Sequence, residues 1–503
     1  MTTAPLGTQV RSGLLWSALN NATLRLGTLI TGIFLARILD PETFGVFAVA
    51  ATVQGILMTV SELGLAADLV RRGRFDERGP TIATLSLVSS GLLTAAMWFG
   101  APAIAEFMGA VEAAPAVRAM SLTLLLAGIG VVPFARLQRD LRQRELFHIE
   151  LVAFAVSTTL SVGLALAGWG AMAIAVGRLC SMVAVVVLEF ATTRTLPRFG
   201  WRSDVASSGF RFGFPLACAG LLSLVLLNID NLLVGRLGGP VLLGLYSLAF
   251  NVSSWPSSVI GTAVRAVAMP VFARRSDDTG TADHDGLVTA SSLTWALAVP
   301  VSMLLGILAG PVIETLYGHK WAAAAGVLAW LAAVGAFRIL FDVWVAYLTA
   351  GGWSGKLLRR QGLWLVALAP VMWWGVGSLG LVGAGAAHLV VVTVVVLPAF
   401  LHALHGTGVP LRRLVVPLLV PVAAVVPAAA VVLLVRHVAP DAWVQLTVGG
   451  VAGFAAYAAL VWPWLARLLP AGVLPGQALL SRLSRRPRRA DRRDPEPSKD
   501  VVR

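Results

Sequence analysis

The sequence predicts an all-α polytopic membrane protein of about 14 transmembrane helices, and three observations predict it. Of 503 residues, 57% are apolar and only 13% charged, about half the charged share of an ordinary soluble chain. Mean hydropathy is +0.81, whereas a single soluble core stops growing at about 250–300 residues and cannot hide this much apolar surface. The apolar residues also fall into stretches of about 20, the length that crosses a bilayer as a helix. The same figures exclude other classes. Low charge excludes disorder for most of the chain, and two cysteines exclude a disulfide scaffold. The net charge of +14 would raise nucleic acid as a partner of a soluble protein. Here the cations lie in loops between apolar stretches, and no nucleic-acid partner is expected.

Read between charge clusters, the spans fall at 13–36, 44–70, 80–101, 116–135, 146–167, 171–193, 209–235, 241–263, 286–308, 322–349, 362–379, 383–401, 416–435 and 443–466. The first follows a single cation, Arg11, and no small-residue cleavage site with a soluble domain comes after it, so it reads as an uncleaved helix. Short basic runs close the spans on one side of the membrane, among them RRGRFDERG (71–79) and RLQRDLRQRE (136–145). The opposite side holds five cations: Arg37, Arg118, Arg236, Lys320 and Arg436. Lys and Arg in short loops mark the cytoplasmic face, which puts both termini in the cytoplasm of a multi-pass protein of the bacterial cytoplasmic membrane. Trp16, Trp98, Trp169, Trp201, Trp321 and Trp443 fall near span ends, where amphipathic rings settle. Residues 469–503 read as a basic disordered tail leaning on anionic membrane lipids.

An internal repeat divides the spans. ARILDPETFGVFAVA (36–50) aligns with GRLGGPVLLGLYSLA (235–249), matching Arg37, Pro41, Gly45, Phe47 and Ala50 to Arg236, Pro240, Gly244, Tyr246 and Ala249. PAIAEFMG (102–109) aligns with PVIETLYG (311–318), and GWGA (168–171) pairs more weakly with GLVGA (380–384). The pairs join equivalent spans in the same order. The expected organisation is an N-terminal bundle (1–202, spans 1–6), a parallel C-terminal copy (203–405, spans 7–12), spans 13–14 (406–468) and the tail. Parallel repeats of this kind are a transporter architecture.

Ionisable groups inside a bilayer are costly and face a cavity or a partner. Span 1 sets Ser17, Asn21, Arg25 and Thr28 on one helical face, with Arg25 near mid-membrane. Span 2 carries Glu62 and Asp68; span 7 carries Asn228, Asp230 and Asn231; span 8 carries Asn251 in a serine stripe, then Arg265. Span 10 carries Arg338 and Asp342, an i, i+4 pair able to bridge itself. The simplest geometry is a central cavity lined by the first two spans of each repeat, with interhelical bonding as the competing use of the neutral polar residues. No G-x-x-x-x-G-K-[ST], H-E-x-x-H or Cys/His cluster occurs, and no outer loop is long enough to carry a catalytic domain. The chain is therefore read as a non-enzyme without cofactor or metal, driven by an H+ or Na+ gradient or by its substrate, with Glu62, Asp230 and Asp342 as protonatable or cation-binding groups.

The run A-R-x-L-x-P-x-x-F-G (Ala36–Gly45), S-E-L-G-L (Ser61–Leu65), NIDNLLVGR (228–236), GLYSLAFN (244–251) and the YGHKW turn (317–321) resemble the Wzx/WzxC-type polysaccharide biosynthesis proteins, oligosaccharide flippases of the MOP superfamily. The resemblance covers about residues 11–350. It implies two six-helix, MATE-like bundles forming a V-shaped cavity, with two extra helices. It implies movement of a polyprenyl-diphosphate-linked oligosaccharide across the membrane by alternating access, with a polysaccharide polymerase or glycosyltransferases as partners. By position Arg25, with Arg265 second, is the residue that would hold the diphosphate, since the guanidinium fork matches phosphate oxygens. The acids of span 2 depart from a strongly cationic cavity and leave room for a neutral or basic glycan. Competing readings are a MATE-like cation-coupled drug exporter, a lipid II flippase, and a non-transporting scaffold for glycosyltransferases.

Overall fold

The computed structural model describes residues 6–62, 65–261, 264, 272 and 283–468. All regular elements among the described residues are helices, and eleven are long and apolar enough to cross a membrane. The first half comprises α1 (Leu6–Ile38), α2 (Pro41–Glu62), the short α3 (Leu65–Arg72), α4 (Phe75–Phe107), α5 (Ala114–Arg139), α6 (Gln143–Leu166) and α7 (Ala171–Thr193). Local chemistry sets their ends. At α2, the Asp40 carboxylate accepts the Thr43 backbone N–H at 2.8 Å and Pro41 takes the first helical position, where its missing N–H costs nothing.

The second half opens on α8 (Ser203–Ser253), whose 51 residues do not run straight. The Tyr246 hydroxyl donates to Asp230 Oδ2 at 2.7 Å, although 16 residues of straight helix would hold them about 24 Å apart. The chain reverses at Gly239, where φ is 72°, a conformation that glycine adopts without strain. After α9 (His284–Ile307), the short α10 (Ala309–Tyr317) and α11 (Ala324–Ala350), the same device recurs in α12 (Ser354–Val391), which doubles back at Gly380, φ 58°. These reversals lie inside the breaks that the sequence leaves at 235–241 and 379–383. A short α13 (Leu397–His405), α14 (Leu411–Val438) and α15 (Gly450–Leu468) follow. Wide π-type turns interrupt the ladder at Ser257–Gly261, Val392–Val396 and Gln445–Gly449.

The expected second span is not continuous. The stretch 44–70 is divided, because α2 stops at Glu62 and α3 is a separate amphipathic turn. Its Asp68 is fully buried and accepts from Arg72 at 2.9 Å and from Arg78 at 2.6 Å, while Arg78 also donates to Ser208 Oγ at 3.0 Å. A carboxylate with these partners cannot lie in lipid. It ties α3 and α4 to the start of α8, where the second half begins.

The largest buried cluster joins the two halves through Val49, Met120, Tyr246, Trp321 and Leu328, while a second, built on Trp344, Phe341 and Phe400, lies within the second half. The joint between the halves is a seam made at backbone level. A Cβ added to Gly45 would sit 1.7 Å from Pro240 O, and one added to Gly244 would sit 1.9 Å from Pro41 O. Small residues let helix backbones meet this closely in a membrane. Helix ends complete the seam. The last carbonyls of α1 have no intrahelical partner; Ala36 O accepts from Trp321 Nε1 at 2.7 Å and Arg37 O from Lys320 Nζ at 2.9 Å. In return Arg37 donates to Leu316 O at 2.8 Å and to Thr315 O, at the end of α10. Each half thus caps the other's helix with a cation.

Candidate functional site

Away from the seam, a cavity of about 470 Å³ opens between the halves. Its first wall is α1, which presents Arg25. Arg25 Nη1 donates to Ser258 O at 3.0 Å, crossing from the first half to the second. The acceptor lies in the π-type turn Ser257–Gly261. A widened turn of this kind disturbs the regular carbonyl ladder and is frequent at functional sites. The bond uses one of the five N–H donors of the guanidinium.

The second half supplies the other walls. The first arm of α8 contributes Asp230, its second arm Phe250, α11 Arg338 and Asp342, and the first arm of α12 Arg360, Gln361 and Trp364. The second arm of α12 contributes His388. The Arg338 guanidinium lies over the Phe250 ring, 4.7 Å from its centroid, a cation–π contact that holds a cation while leaving its N–H edge for another group. Arg360 Nε donates to Ala399 O at 2.8 Å. Asp230 is buried; its Oδ1 accepts from the Asn231 backbone at 2.8 Å and its Oδ2 from Tyr246.

A second cavity, of about 450 Å³, reaches Arg25 from the first half and is lined by Asn20, Thr28, Gln138, Gln143 and Glu150. There Asn20 Nδ2 donates to Glu150 Oε2 at 2.6 Å. Arg25 therefore lines both cavities, the one between the halves and the one within the first half.

The structure brings together four of the residues singled out from sequence: Arg25, Asp230, Arg338 and Asp342 line one cavity. Asn228 and Asn231 flank Asp230 on α8 without lining it, and Asn251 is exposed. The side chains of Asn21 and Glu62, and all of Arg265, lie outside the described residues, as does the tail after Leu468. Sequence reasoning missed Arg360, Gln361, Trp364 and His388. For the first and third a signal existed, since Arg360, Trp364 and Leu368 recur at i, i+4 and i+8 on one helical face. His388 stands in an apolar run, AAHLVVV, and its partners are 142 and 158 residues away in sequence, at Tyr246 and Asp230.

Ionisable groups from five chain segments meeting around one chamber, inside a bundle of membrane-crossing helices, define a multi-pass membrane protein of the transporter class. Comparison with known proteins places it further. Residues 34–326 match the family model described as polysaccharide biosynthesis protein, and the chain belongs to that family. It is 27% identical over 376 residues to the succinoglycan biosynthesis transport protein ExoT of Rhizobium meliloti (strain 1021), covering 74% of this chain and 73% of that one. It is 26% identical to the teichuronic acid biosynthesis protein TuaB of Bacillus subtilis (strain 168), covering 71% and 76%. It is 25% identical to the lipopolysaccharide biosynthesis protein WzxC of Escherichia coli (strain K12), covering 65% and 67%. Among solved structures it shares its fold with the lipid II flippase MurJ in an inward closed conformation, with a TM-score of 0.72, 13% identity, and 91% of this chain and all of that one covered. The fold is also that of an inward-facing multidrug MATE transporter of the MOP superfamily, with a TM-score of 0.61, 16% identity, and coverage of 78% and 99%.

Proposed function

We propose that the protein moves a polyprenyl-diphosphate-linked oligosaccharide across the bacterial cytoplasmic membrane for the assembly of a cell-surface polysaccharide. Family membership and the three relatives support the polysaccharide; the shared fold supports transport. The observation that carries the reading is Arg25, bonded across the chamber to Ser258 O in a cavity that also holds Arg338 and Arg360. A diphosphate taken from water needs several donors in a fixed array, and guanidinium groups supply them in forked pairs. The aromatic faces of Phe250 and Trp364 beside them suit the apolar faces of sugar rings or the first isoprene unit.

The reading extends to architecture. Counting both arms of α8 and of α12 gives fourteen crossings, with 1–202 and 203–405 as parallel six-helix units and 406–468 as the added pair. The reciprocal Gly45–Pro240 and Gly244–Pro41 contacts support a pseudo-twofold relation between the units. With the basic loops on the cytoplasmic side, the seam closes the outer end and the chamber faces inward. Rocking one unit against the other would open the seam and deliver the cargo outside. A polymerase or glycosyltransferase working on the same lipid carrier is the class of partner that fits.

The test is a lipid extract from a deletion strain, read by mass spectrometry. Accumulation of one polyprenyl-linked saccharide, cleared by the wild type and not by Arg25→Ala at equal protein level, is the expected result. No accumulation, with new sensitivity to cationic drugs, would replace this reading with a MATE-like exporter.

A further inference from the structure

The transport reading leaves the buried His388 without a task. His388 is 2% exposed, lies in the middle of a membrane-crossing arm of α12, and lines the chamber. A neutral polar ring in lipid could be satisfied by its own helix, and one of its nitrogens is: Nδ1 lies 3.1 Å from Ala384 O, four residues back. A carbonyl only accepts, so Nδ1 carries the proton of the neutral ring. Nε2 is the atom left to bind another, and it faces Asp230 Oδ2 at 3.7 Å. The Tyr246 ring stacks on the imidazole, 6.3 Å between centroids, and its hydroxyl donates to the same carboxylate oxygen. A deprotonated Nε2 and a carboxylate oxygen are two acceptors facing each other with no hydrogen between them. A proton on Nε2 turns that opposition into a charge-assisted hydrogen bond, which would close the gap to about 2.8 Å.

We propose that Nε2 of His388, paired with Asp230, is a proton-binding site that couples transport to protons. This rests on the transport reading above and adds its driving ion. Two consequences follow from placement. Protonation draws the second arm of α12 onto the first arm of α8, and both arms run into the sharp reversals at Gly380 and Gly239. It also adds one unit of positive charge beside Arg338, so that occupancy of the chamber by a proton and occupancy by anionic cargo are linked. The ionisable groups facing the pair from the packed elements are Asp230 and Tyr246 on α8 and Arg338 and Asp342 on α11. Arg25 on α1 and Arg360 on the other arm of α12 complete the chamber wall.

The experiment needs no cargo. The full chain, labelled with 15N-histidine and placed in lipid nanodiscs, is titrated from pH 5 to 9 by NMR, with His388→Gln identifying the His388 signal among seven histidines. A spin-label pair across the mouth of the chamber reports the distance between the halves over the same range. The expected result is a His388 step that Asp230→Asn moves by about one pH unit or more. The expected distance change tracks that step and is lost in His388→Gln. Tyr246→Phe, which keeps the ring and removes the hydroxyl, should retain a displaced step and so guards against a folding artefact in the other two variants. A His388 signal that does not titrate, a step indifferent to Asp230→Asn, or a distance that follows Na+ and ignores pH would each overturn the proposal. The outcomes separate the two readings: a silent His388 leaves the flippase standing, and a deletion strain without stored saccharide leaves the proton site standing.

Discussion

The seam and the chamber are made from the same helices and solve opposite problems. At the seam, backbones touch: Gly45 and Gly244 admit the carbonyls of Pro240 and Pro41, and helix ends are capped by Arg37, Lys320 and Trp321 from across the joint. In the chamber the helices stand apart, and side chains reach into the gap from far-separated positions: Arg25, Asp230, Arg338, Asp342, Arg360 and His388. A contact made of fixed backbone either fits or does not, which suits a two-position gate. A contact made of long charged side chains adapts to cargo. Substitutions at the seam should therefore act first on stability, and substitutions in the chamber on transport, with the protein accumulating normally.

The largest effect is expected at Gly244→Val. Its Cβ would fall 1.9 Å from Pro41 O, a backbone atom that cannot step aside. The two halves must separate there, and the variant should lose transport completely. Measured by spin labels across the seam, it should populate the parted state far more than the wild type does; a wild-type distance with normal transport would refute the gate. Trp321 comes next. It is fully buried, stacks edge-on against Phe44 at 5.4 Å and donates to Ala36 O. Trp321→Ala should cost about 3–5 kcal/mol, read as a fall in thermal midpoint in detergent. Trp321→Phe keeps much of the bulk and loses the bond, a change of about 1–3 kcal/mol. Equal losses for both would mean that the hydrogen bond, and not the packing, holds the seam.

The chamber should behave in the opposite way. Arg338→Gln removes a cation–π contact worth about 0.5–2 kcal/mol, so the protein should accumulate normally. Transport, followed as clearance of stored lipid-linked saccharide, should drop at least tenfold if the cation meets the diphosphate, which is about 1.4 kcal/mol of lost cargo interaction. A large fall in abundance with transport per molecule unchanged would make Arg338 a structural residue and blur the contrast between the two regions.

The difference also explains what could be read in advance. The turns that meet at the seam were legible because their chemistry is local and doubled, Arg37, Pro41 and Gly45 recurring as Arg236, Pro240 and Gly244; their contact across the joint was not, since no sequence spacing connects them. The all-helical, membrane-crossing class was legible from hydropathy alone. The chamber was legible only where a single residue is anomalous by itself, as Arg25, Asp230, Arg338 and Asp342 are in apolar surroundings. Arg360 was hidden because a cation at a helix start reads as loop charge. His388 was hidden because its meaning lies in Asp230, which no sequence spacing connects to it. Asp68 misled in the other direction: an acid next to an apolar span suggested an extension of that span, and its arginine partners lie partly beyond the next turn, at Arg78.

The smallest effect tests how finely the seam is tuned. Asp40 begins α2 by accepting the Thr43 N–H, and that backbone bond, with the nearby charge of Lys320 adding to it, holds the Asp40 carboxyl below its usual range. A lowered value in the folded state means that the contribution is present above the ordinary carboxyl range and is lost as pH falls through the folded value. Lys320 responds in the other sense, since partial burial lowers its ammonium while Asp40 opposes the shift. Asp40→Ala should cost about 1 kcal/mol at neutral pH, and Asp40→Asn less, since Asn also caps a helix. The loss should begin to shrink below pH about 4 and vanish as pH falls through the lowered folded value, where the wild type's own carboxylate is neutralised. Thermal midpoints of the three proteins at pH 7 and pH 3.5 check this. Curves that stay parallel would show that Asp40 acts through shape alone, and the electrostatic share of the seam would then rest on the two reciprocal caps, Arg37 and Lys320.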